Sequence, residues 1–353
     1  MSLAASTSYE ARLRAAIGTS WAGTTPGLRL RVHSGGRLRA DVALGQTYPI
    51  YDWASLTKVV FSTTAAMMAV ESGRLRLSEP VSGRLPFFDG TGAAKATVAS
   101  LLSHTAGLTW WEPFYQSLDP ALSRSGRWSQ MRSLLGAAVA RSAPPIPMKA
   151  VYSDLDFLSL GFVLEDALGA SLLDIWRSVQ DRLGLAEVDF HVDNRPTHRR
   201  ADCAPTEDGT PQGVVHDENA RALGGVAPHA GLFGGMDDLS RYGLALRAAL
   251  LGKKVTGFPR SETVVRFARR AVPRSVGDWA LGFMMPSKVG SSAGSKFSPR
   301  SVGHTGFTGT SLWLDPRRDL LVTILSNRIH PTRANNSFVQ LRGRLHTWCV
   351  EAL

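Results

Sequence analysis

The sequence predicts an α+β fold in which an antiparallel β-sheet is flanked by terminal helices and a mainly α-helical domain is inserted into the chain. Three observations support this prediction. Segments of alternating apolar residues lie near both ends, apolar helical patterns fill the middle, and helical segments stand at both termini. We therefore expect a sheet domain of residues 1–50 and 275–353, a helical domain of residues 51–274 that carries Ser55 and Tyr152, and an active site at their junction.

Local patterns place the elements of the sheet domain. A helical pattern over about 7–18 precedes two strands, at about 28–34 and 38–45, and Gly35-Gly36 forms the turn between these strands. Four further strands and a final helix are predicted at about 279–285, 301–305, 310–315, 320–326 and 334–352. The first and last parts of the chain should therefore share one antiparallel sheet.

Composition is typical of an enzyme. The chain has 353 residues, of which 44% are hydrophobic, and this content supplies a large core. The net charge is +11, but the basic residues are scattered and form no stripe with aromatic residues between them. This distribution argues against nucleic-acid binding. The two cysteines, Cys203 and Cys349, stand in no redox or zinc motif and are expected to be free thiols.

The chain carries no pattern of a membrane protein or a secreted protein. Residues 1–17 have no apolar signal-peptide core, and no uninterrupted apolar run approaches the roughly 18 residues that a membrane-spanning helix needs. We expect a cytoplasmic monomer without a cofactor, acting on a small-molecule or peptidoglycan-derived substrate.

The most informative motif is Ser55-Leu56-Thr57-Lys58. If residues 55–70 form a helix, positions 55 and 58 lie on one face, so the serine hydroxyl and the lysine amine can meet. A serine is a nucleophile only beside a base, and lysine is a base only where burial or a neighbouring cation lowers its pKa. The alternative interpretation is a helix-capping serine with a solvated lysine.

A second motif is Tyr152-Ser153-Asp154, which follows the proline-rich segment 144–147 and precedes an apolar helix at about 155–168. A tyrosine at such a junction can direct its hydroxyl into a cleft and share protons with Ser55. The alternative is an aromatic residue that only packs, and Ser153 or Asp154 is expected to cap the helix in either case.

The third motif, His304-Thr305-Gly306, is predicted to end a strand at a glycine turn. Glycine allows a substrate to approach the backbone. A strand edge beside a nucleophile can donate amide hydrogens to a developing oxyanion, and the natural pair is the amides of Ser55 and Phe307. The alternative is an ordinary hairpin with an unrelated histidine.

In this order the three motifs resemble the serine penicillin-recognising superfamily, in the branch of class C β-lactamases, low-molecular-weight penicillin-binding proteins and β-lactamase-like esterases. Two further segments, 101–108 and 230–242, are similar to segments of that family. The resemblance covers about residues 27–350. It implies an α/β sandwich with a helical domain, of the β-lactamase/transpeptidase-like type.

The sequence departs from the family pattern at two positions. Asp154 stands where the family usually has asparagine, and His304 stands where the lactamases have lysine. Histidine is mostly neutral at pH 7, so a β-lactam carboxylate would lack a fixed positive partner there. Both departures favour an ester or amide substrate over a β-lactam.

Two more segments, 216–225 and 325–333, resemble a subgroup associated with cell-wall recycling, including muropeptide amidases. Asp217 is expected to cap a helix. The cluster His216-Asp217-Glu218 does not have the spacing of a zinc site, so no metal is predicted. The pattern G-x-S-x-G at Gly290–Gly294 lies in a Gly/Ser/Lys loop rather than between a strand and a helix, so Ser292 is not the expected nucleophile.

The sequence therefore predicts a serine hydrolase that acts through an acyl-enzyme on an ester or amide. Ser55 is the expected nucleophile, Lys58 and Tyr152 share the base and acid roles in an order left open, and no metal takes part. Substrate contacts are expected from Asp154, His304, Thr305, Gly306, Arg328 and Arg333. The alternatives are a muropeptide amidase or carboxypeptidase, a true β-lactamase, and a penicillin-binding or sensor module that does not turn over.

Overall fold

The computed structural model describes residues 8–143 and 148–353, and its centre is a five-stranded antiparallel sheet in the order β2-β1-β8-β7-β6. The strands of the described chain are β1 (Gly27–Ser34), β2 (Arg37–Gly45), β3 (Tyr51–Asp52), β4 (Asp189–Phe190), β5 (Leu232–Gly234), β6 (Val302–Thr305), β7 (Ser311–Asp315) and β8 (Leu320–Ser326). Strand β1 pairs with β8 from Leu28 opposite Ser326 to Ser34 opposite Leu320, so both parts of the chain share one sheet. The α+β fold with an antiparallel sheet is confirmed.

The α-helices of the described chain are α1 (Tyr9–Ile17), α2 (Thr64–Glu71), α3 (Val98–Leu102), α4 (Arg124–Arg141), α5 (Asp154–Leu168), α6 (Leu172–Leu183), α7 (Glu218–Ala222), α8 (Met236–Leu250), α9 (Ser261–Ala268) and α10 (Ser337–Glu351). No helix among residues 8–143 and 148–353 has the length and apolar character needed to cross a membrane.

Helices cover both faces of the sheet. Apolar residues of α1 and α10, such as Leu13 and Leu345, share one cluster with Leu30 of β1 and Val322 of β8. The alternate residues of β8, such as Leu321, belong instead to the cluster that contains α8 and the helical part of the chain. Because successive strand residues point to opposite faces, the apolar run of β8 is buried on both sides. This second cluster runs without a break from the sheet into the helical part.

The helical part also contains a small sheet in the order β3-β5-β4, which the sequence analysis missed. Its strands are only two or three residues long. They are too short for a period-two pattern to be recognised. The division at residues 50 and 275 into two domains stays a proposal.

The predicted strand at about 279–285 is wrong. Only single bridges form there, from Trp279 to Met284 and from Met284 to Gly303 of β6. Gly282 has φ +80° and turns the chain, and a Cβ at this glycine would meet the Thr63 side chain. The alternating apolar residues are buried in a bend rather than along a strand. The proline-rich segment 144–147 lies outside the described residues.

The helix predicted at 55–70 forms with one local departure. Residues Lys58–Thr63 form a π-helical turn that leads directly into α2. Such turns widen a helix and occur frequently at functional sites. Cys203 and Cys349 are buried free thiols, as predicted.

Candidate active site

Ser55 lies on a strained turn between β3 and the helix that begins at the next residue. Ala54, just before it, has φ +48°, a conformation that costs free energy for a residue other than glycine. The buried Asp52 carboxylate fixes this turn, since Oδ1 accepts the Ala54 amide at 2.8 Å and Oδ2 accepts the His216 amide at 2.8 Å. The structure therefore holds the serine backbone rigidly at the start of the helix.

The structure brings Ser55, Lys58 and Tyr152 together. Tyr152 Oη donates to Ser55 Oγ at 2.7 Å, and Lys58 Nζ donates to the same oxygen at 3.1 Å. Lys58 is fully buried. Tyr152 stands immediately before α5, whose N-cap is Ser153. One hydroxyl is thus in contact with the two groups that could move its proton.

Asp154 makes an ion pair with Lys58 rather than facing a substrate freely. Its Oδ1 lies 2.6 Å from Lys58 Nζ, which also donates to the His229 carbonyl at 3.1 Å. Burial alone would lower the pKa of Lys58, but the Asp154 carboxylate and Tyr152 outweigh burial and raise that pKa. The condition for a lysine base, a lowered pKa, is therefore not met in the free protein.

Aromatic rings hold Tyr152 in place. Its ring stacks on Trp279, with centroids 5.8 Å apart, and contacts His104 at 4.9 Å. Burial raises the pKa of Tyr152, and the neighbouring Lys58 ammonium opposes this rise. The ammonium is thus the group that stabilises a Tyr152 phenolate.

His104 and Asp156 form a buried neutral support below Tyr152. His104 Nδ1 accepts the Ser153 amide at 3.2 Å and lies 3.1 Å from Asp156 Oδ2. Burial lowers the pKa of His104 and raises the pKa of Asp156. This pair gives a structural role to the segment 101–108, to which the sequence analysis assigned none.

The amides of Ser55 and Phe307 donate no hydrogen bond to any residue in the described ranges. The turn that carries Phe307 is fixed from two sides. Arg328 Nε donates to the Phe307 carbonyl at 2.7 Å, and Arg342 Nη1 donates to the Gly306 carbonyl at 3.0 Å. The amides are therefore available to an oxyanion on a preorganised turn.

His304 is buried and uncharged. Its Nδ1 donates to the Thr305 carbonyl at 2.8 Å, and burial together with the Lys58 charge lowers the pKa of His304 to about 3. Its Nε2 has no partner among the described residues. This arrangement agrees with the expectation that His304 is neutral.

Ser55, Tyr152 and Phe307 line two adjoining cavities. The first, which we call the His304 cavity, has a volume of about 460 Å³ and is also lined by Trp279, Met284, His304, Thr305, Gly306, Arg328, Asn336, Val339 and Arg342. The second, which we call the Trp110 cavity, has a volume of about 500 Å³ and is also lined by Ala54, Trp110, Trp111, Tyr115, Asp154, His216, Asp217, Glu218, Ala230 and Arg333.

The His304 cavity contains two arginines, of which Arg328 was an expected substrate contact and Arg342 was missed by sequence reasoning. Arg328 and Arg342 are 3% and 6% exposed, and neither makes an ion pair with an acidic residue of the described chain. Burial lowers the pKa of Arg342 to about 9, and Arg342 Nε has no hydrogen-bond partner among the described residues. The neutral His304 is therefore not the only determinant of charge in this cavity, because two arginines line it as well.

Arg333 and the His216-Asp217-Glu218 segment form the outer wall of the Trp110 cavity. Arg333 pairs with Glu207 at 2.5 Å and with Glu218 at 2.7 Å, and His216 stacks on Phe307 with centroids 5.6 Å apart. Asp217 caps α7, as predicted. Of the proposed substrate contacts, Arg333 is thus engaged in ion pairs, and Arg328 supports the Phe307 turn.

One group of side chains in the described residues has the composition of a metal site. The ligand atoms of Asp154, Asp217 and His229 all lie within 4.8 Å of one another. The Lys58 ammonium already contacts Asp154. This contact occupies a carboxylate oxygen that such a metal ion would need.

Ser292 lines neither of the two cavities. Residues 290–294 form a loop against α10. The Ser292 carbonyl accepts a hydrogen bond from His346 Nδ1 at 2.8 Å. No strand precedes Ser292 within this described loop, so the geometry of a nucleophile elbow is not present.

The fold and cleft are those of a β-lactamase/transpeptidase-like protein. A family model described as Beta-lactamase matches residues 13–342, and the chain belongs to this family. The chain is 27% identical to a Salmonella agona protein named "Putative D-alanyl-D-alanine carboxypeptidase", over 91% of this chain and 81% of that protein. A Salmonella typhi protein of the same name matches equally well.

Solved structures show the same fold at low sequence identity. The hydrolase EstCE1, described as having promiscuous acyltransferase activity, superposes with a TM-score of 0.71 at 20% identity, over 94% of this chain and 97% of that one. A class C β-lactamase from Rhodobacter sphaeroides superposes with a TM-score of 0.66 at 20% identity, over 95% and 99% of the two chains. The predicted superfamily is therefore confirmed.

Proposed function

We propose that this protein is a serine hydrolase that forms an acyl-enzyme on Ser55 and acts as a carboxypeptidase on a short peptide or a related acyl amide. The observation that carries this proposal is the contact of Ser55 Oγ with both Lys58 Nζ and Tyr152 Oη, beside two amides that are free in the described structure. The names of the Salmonella relatives support a carboxypeptidase.

In the resting protein Tyr152 is a phenol that donates to Ser55 Oγ. In the proposed first step, Tyr152 loses this proton to solvent water, and Ser55 Oγ then attacks the substrate carbonyl while its own proton passes to the resulting Tyr152 phenolate. Lys58 remains an ammonium because Asp154 holds its charge, and this ammonium stabilises the phenolate. The oxyanion accepts hydrogen bonds from the amides of Ser55 and Phe307. Tyr152 then gives the proton to the leaving nitrogen, the carbon–nitrogen bond breaks, and the acyl-enzyme remains.

In the second step, water replaces the leaving group. Tyr152 takes a proton from this water, the resulting hydroxide attacks the acyl carbon, and the proton returns to Ser55 Oγ as the ester bond breaks. The acyl group leaves as a free acid. Ester substrates follow the same path with an alcohol as the leaving group.

A carboxypeptidase needs a partner for the carboxylate of the leaving amino acid. Arg342 and Arg328 line the His304 cavity and are buried without an acidic partner in the described chain. A buried charge without a partner is costly, and a substrate carboxylate would relieve this cost. This argument favours a carboxypeptidase over a simple esterase. The same two arginines could bind the carboxylate of a β-lactam. The neutral His304 is therefore no longer a reason to expect slow reaction with β-lactams.

We expect the enzyme to prefer a substrate with a free carboxylate. N-acetyl-D-alanyl-D-alanine should be hydrolysed about 10–100-fold more efficiently than its C-terminal amide, because a charge-assisted hydrogen bond typically contributes about 1.5–3 kcal/mol. The measurement is release of D-alanine or its amide, as kcat/KM. Arg342→Gln should reduce this preference.

The control is Arg344→Gln, since Arg344 lies on the same helix but stacks on Trp348. It should leave the preference unchanged. Equal turnover of the acid and the amide by the unmodified enzyme would exclude the carboxypeptidase while leaving a serine hydrolase possible.

The role of Lys58 can be tested through pH. Asp154→Asn removes the carboxylate that raises the pKa of Lys58, so burial should dominate and that pKa should fall. The ammonium would then be lost at a lower pH, and the alkaline limb of kcat/KM should move to lower pH. A stopped assay with an aryl ester across the alkaline range measures this limb.

Asp166→Asn serves as the matched control. Asp166 lies on the same helix, is 53% exposed and pairs with Arg84. Its variant should keep the profile of the unmodified enzyme. An alkaline limb that stays in place in Asp154→Asn would argue against an obligatory Lys58 ammonium.

A further inference from the structure

The Trp110 cavity differs in charge from the protein as a whole. The chain has a net charge of +11, yet three carboxylates, those of Asp154, Asp217 and Glu218, line this cavity. Arg333 is the one arginine or lysine among its described lining residues. The electrostatic character of this half of the cleft is thus opposite to that of the His304 cavity.

Only one of these carboxylates has no lysine or arginine partner among the described residues. Asp154 pairs with Lys58, and Glu218 shares Arg333 with Glu207. Asp217 Oδ1 accepts His229 Nε2 at 3.1 Å and the Ala220 amide at 2.8 Å, and no lysine or arginine of the described chain lies within ion-pair distance.

The Asp217 carboxylate is held in its charged form. Burial alone would raise the pKa of Asp217, but the contacts with His229 and Ala220, together with the Lys58 charge, outweigh burial and hold that pKa well below its usual range. The cavity therefore presents the Asp217 carboxylate in its charged form.

Aromatic rings face the same cavity. Trp110 stacks on Trp111 with centroids 5.7 Å apart and an interplanar angle of 28°, and Trp111 contacts Tyr115 at 6.3 Å. Trp110 is 65% exposed, which is unusual for so large an apolar side chain. The faces of such rings attract cations, and quaternary ammonium groups are bound in this way.

The aromatic wall is fixed on both sides. Asp154 donates its amide to the Trp110 carbonyl at 2.9 Å, so this end is anchored beside the nucleophile. At the other end, the buried Asn219 side chain accepts the Tyr115 amide at 2.9 Å and donates to the Glu112 carbonyl at 2.9 Å. The wall is thus built into the cleft and spans from Tyr152 to α7.

We propose that the Trp110 cavity binds an ammonium group on the acyl part of the substrate, between the Asp217 carboxylate and the aromatic wall. This inference rests on the proposed function, since the acyl group lies in this cavity only if Ser55 attacks the substrate. The leaving group then occupies the His304 cavity. The enzyme therefore selects acyl groups that carry a cationic amine.

A matched pair of substrates tests this selection. One is the p-nitrophenyl ester of trimethylammonio-hexanoic acid, and the other is the isosteric ester in which carbon replaces the quaternary nitrogen. We expect kcat/KM to be about tenfold or more higher for the cationic ester, after subtraction of uncatalysed hydrolysis. The preference should weaken as salt concentration rises, because the interaction is between charges.

Two variants test whether Asp217 and Trp110 cause the preference for the cationic ester. Asp217→Asn keeps a side chain that can cap α7 but removes the charge, so the ratio of the two kcat/KM values should fall toward one. Trp110→Leu removes an exposed ring whose loss the fold should tolerate, and it should lower the ratio as well. Glu262→Gln, an exposed change on α9, is the control and should keep the ratio.

The outcomes separate the two proposals. Turnover of both esters at equal rates by the unmodified enzyme would overturn the ammonium site and leave the hydrolase intact. If neither ester is hydrolysed, the proposed function fails instead. Calorimetric binding of the primary amides of the same two acids then tests the site alone, where preference for the cation supports it and equal binding overturns it.

Discussion

Replacement of Ser55 by alanine is expected to abolish hydrolysis while the fold stays intact. Ser55 Oγ is the oxygen that both Lys58 Nζ and Tyr152 Oη contact, and it is the atom that the proposed mechanism acylates. Loss of a nucleophile costs several orders of magnitude in kcat. The measurement is p-nitrophenyl ester turnover, with thermal unfolding recorded on the same preparation.

Ser292→Ala is the matched control for this change. Ser292 lies in the loop against α10, where its backbone carbonyl rather than its hydroxyl makes the recorded contact. This variant should retain the activity of the unmodified enzyme. Loss of activity in Ser292→Ala beside an active Ser55→Ala would disprove the assignment of the nucleophile.

The sequence predicted that Ser55, Lys58 and Tyr152 meet, because their positions in helices and turns carry the geometry. Ser55 and Lys58 stand one helical turn apart, and Tyr152 stands at a helix start that Ser153 caps. These relations are local, so they survive without knowledge of the fold. The pairing of both parts of the chain in one sheet was equally visible, because alternating apolar residues have the same period in every strand.

Charges at the site were harder to predict because they depend on distant residues. Asp154 was expected to face a substrate, but it pairs with Lys58, which is 96 positions away in the chain. Arg342 lies on α10, and nothing in the helical pattern distinguishes it from the other polar residues of that helix. Only the packing of α10 against the Gly306 turn brings its guanidinium into the cleft. Charge in a pocket is therefore a property of the tertiary fold.

The predicted strand at 279–285 failed for a different physical reason. Its apolar character is real, since Trp279, Ala280, Leu281 and Phe283 are all buried. A glycine with positive φ at position 282 lets the chain turn and bury these side chains without a ladder of hydrogen bonds. A short apolar segment indicates burial, and it does not by itself require a strand.

The proposed proton transfer through Tyr152 predicts the second large loss of activity. Lys58→Met and Tyr152→Phe should each lower kcat by roughly a thousandfold, and the double variant should lose little more. The reason is that Tyr152 moves the proton while the Lys58 ammonium makes its phenolate accessible, so each group is ineffective without the other. Single-turnover acylation with an aryl ester measures the step directly.

A further variant separates this role of Lys58 from its role in packing. Lys58→Met leaves the Asp154 carboxylate without its cation, and breaking a buried ion pair on one side typically costs about 3–5 kcal/mol. Lys58→Met combined with Asp154→Asn removes both charges and should recover stability without recovering activity. Activity that returns together with the melting temperature would reduce Lys58 to a structural residue. Losses that multiply in the Lys58→Met, Tyr152→Phe pair would instead mean that the two side chains act in separate steps.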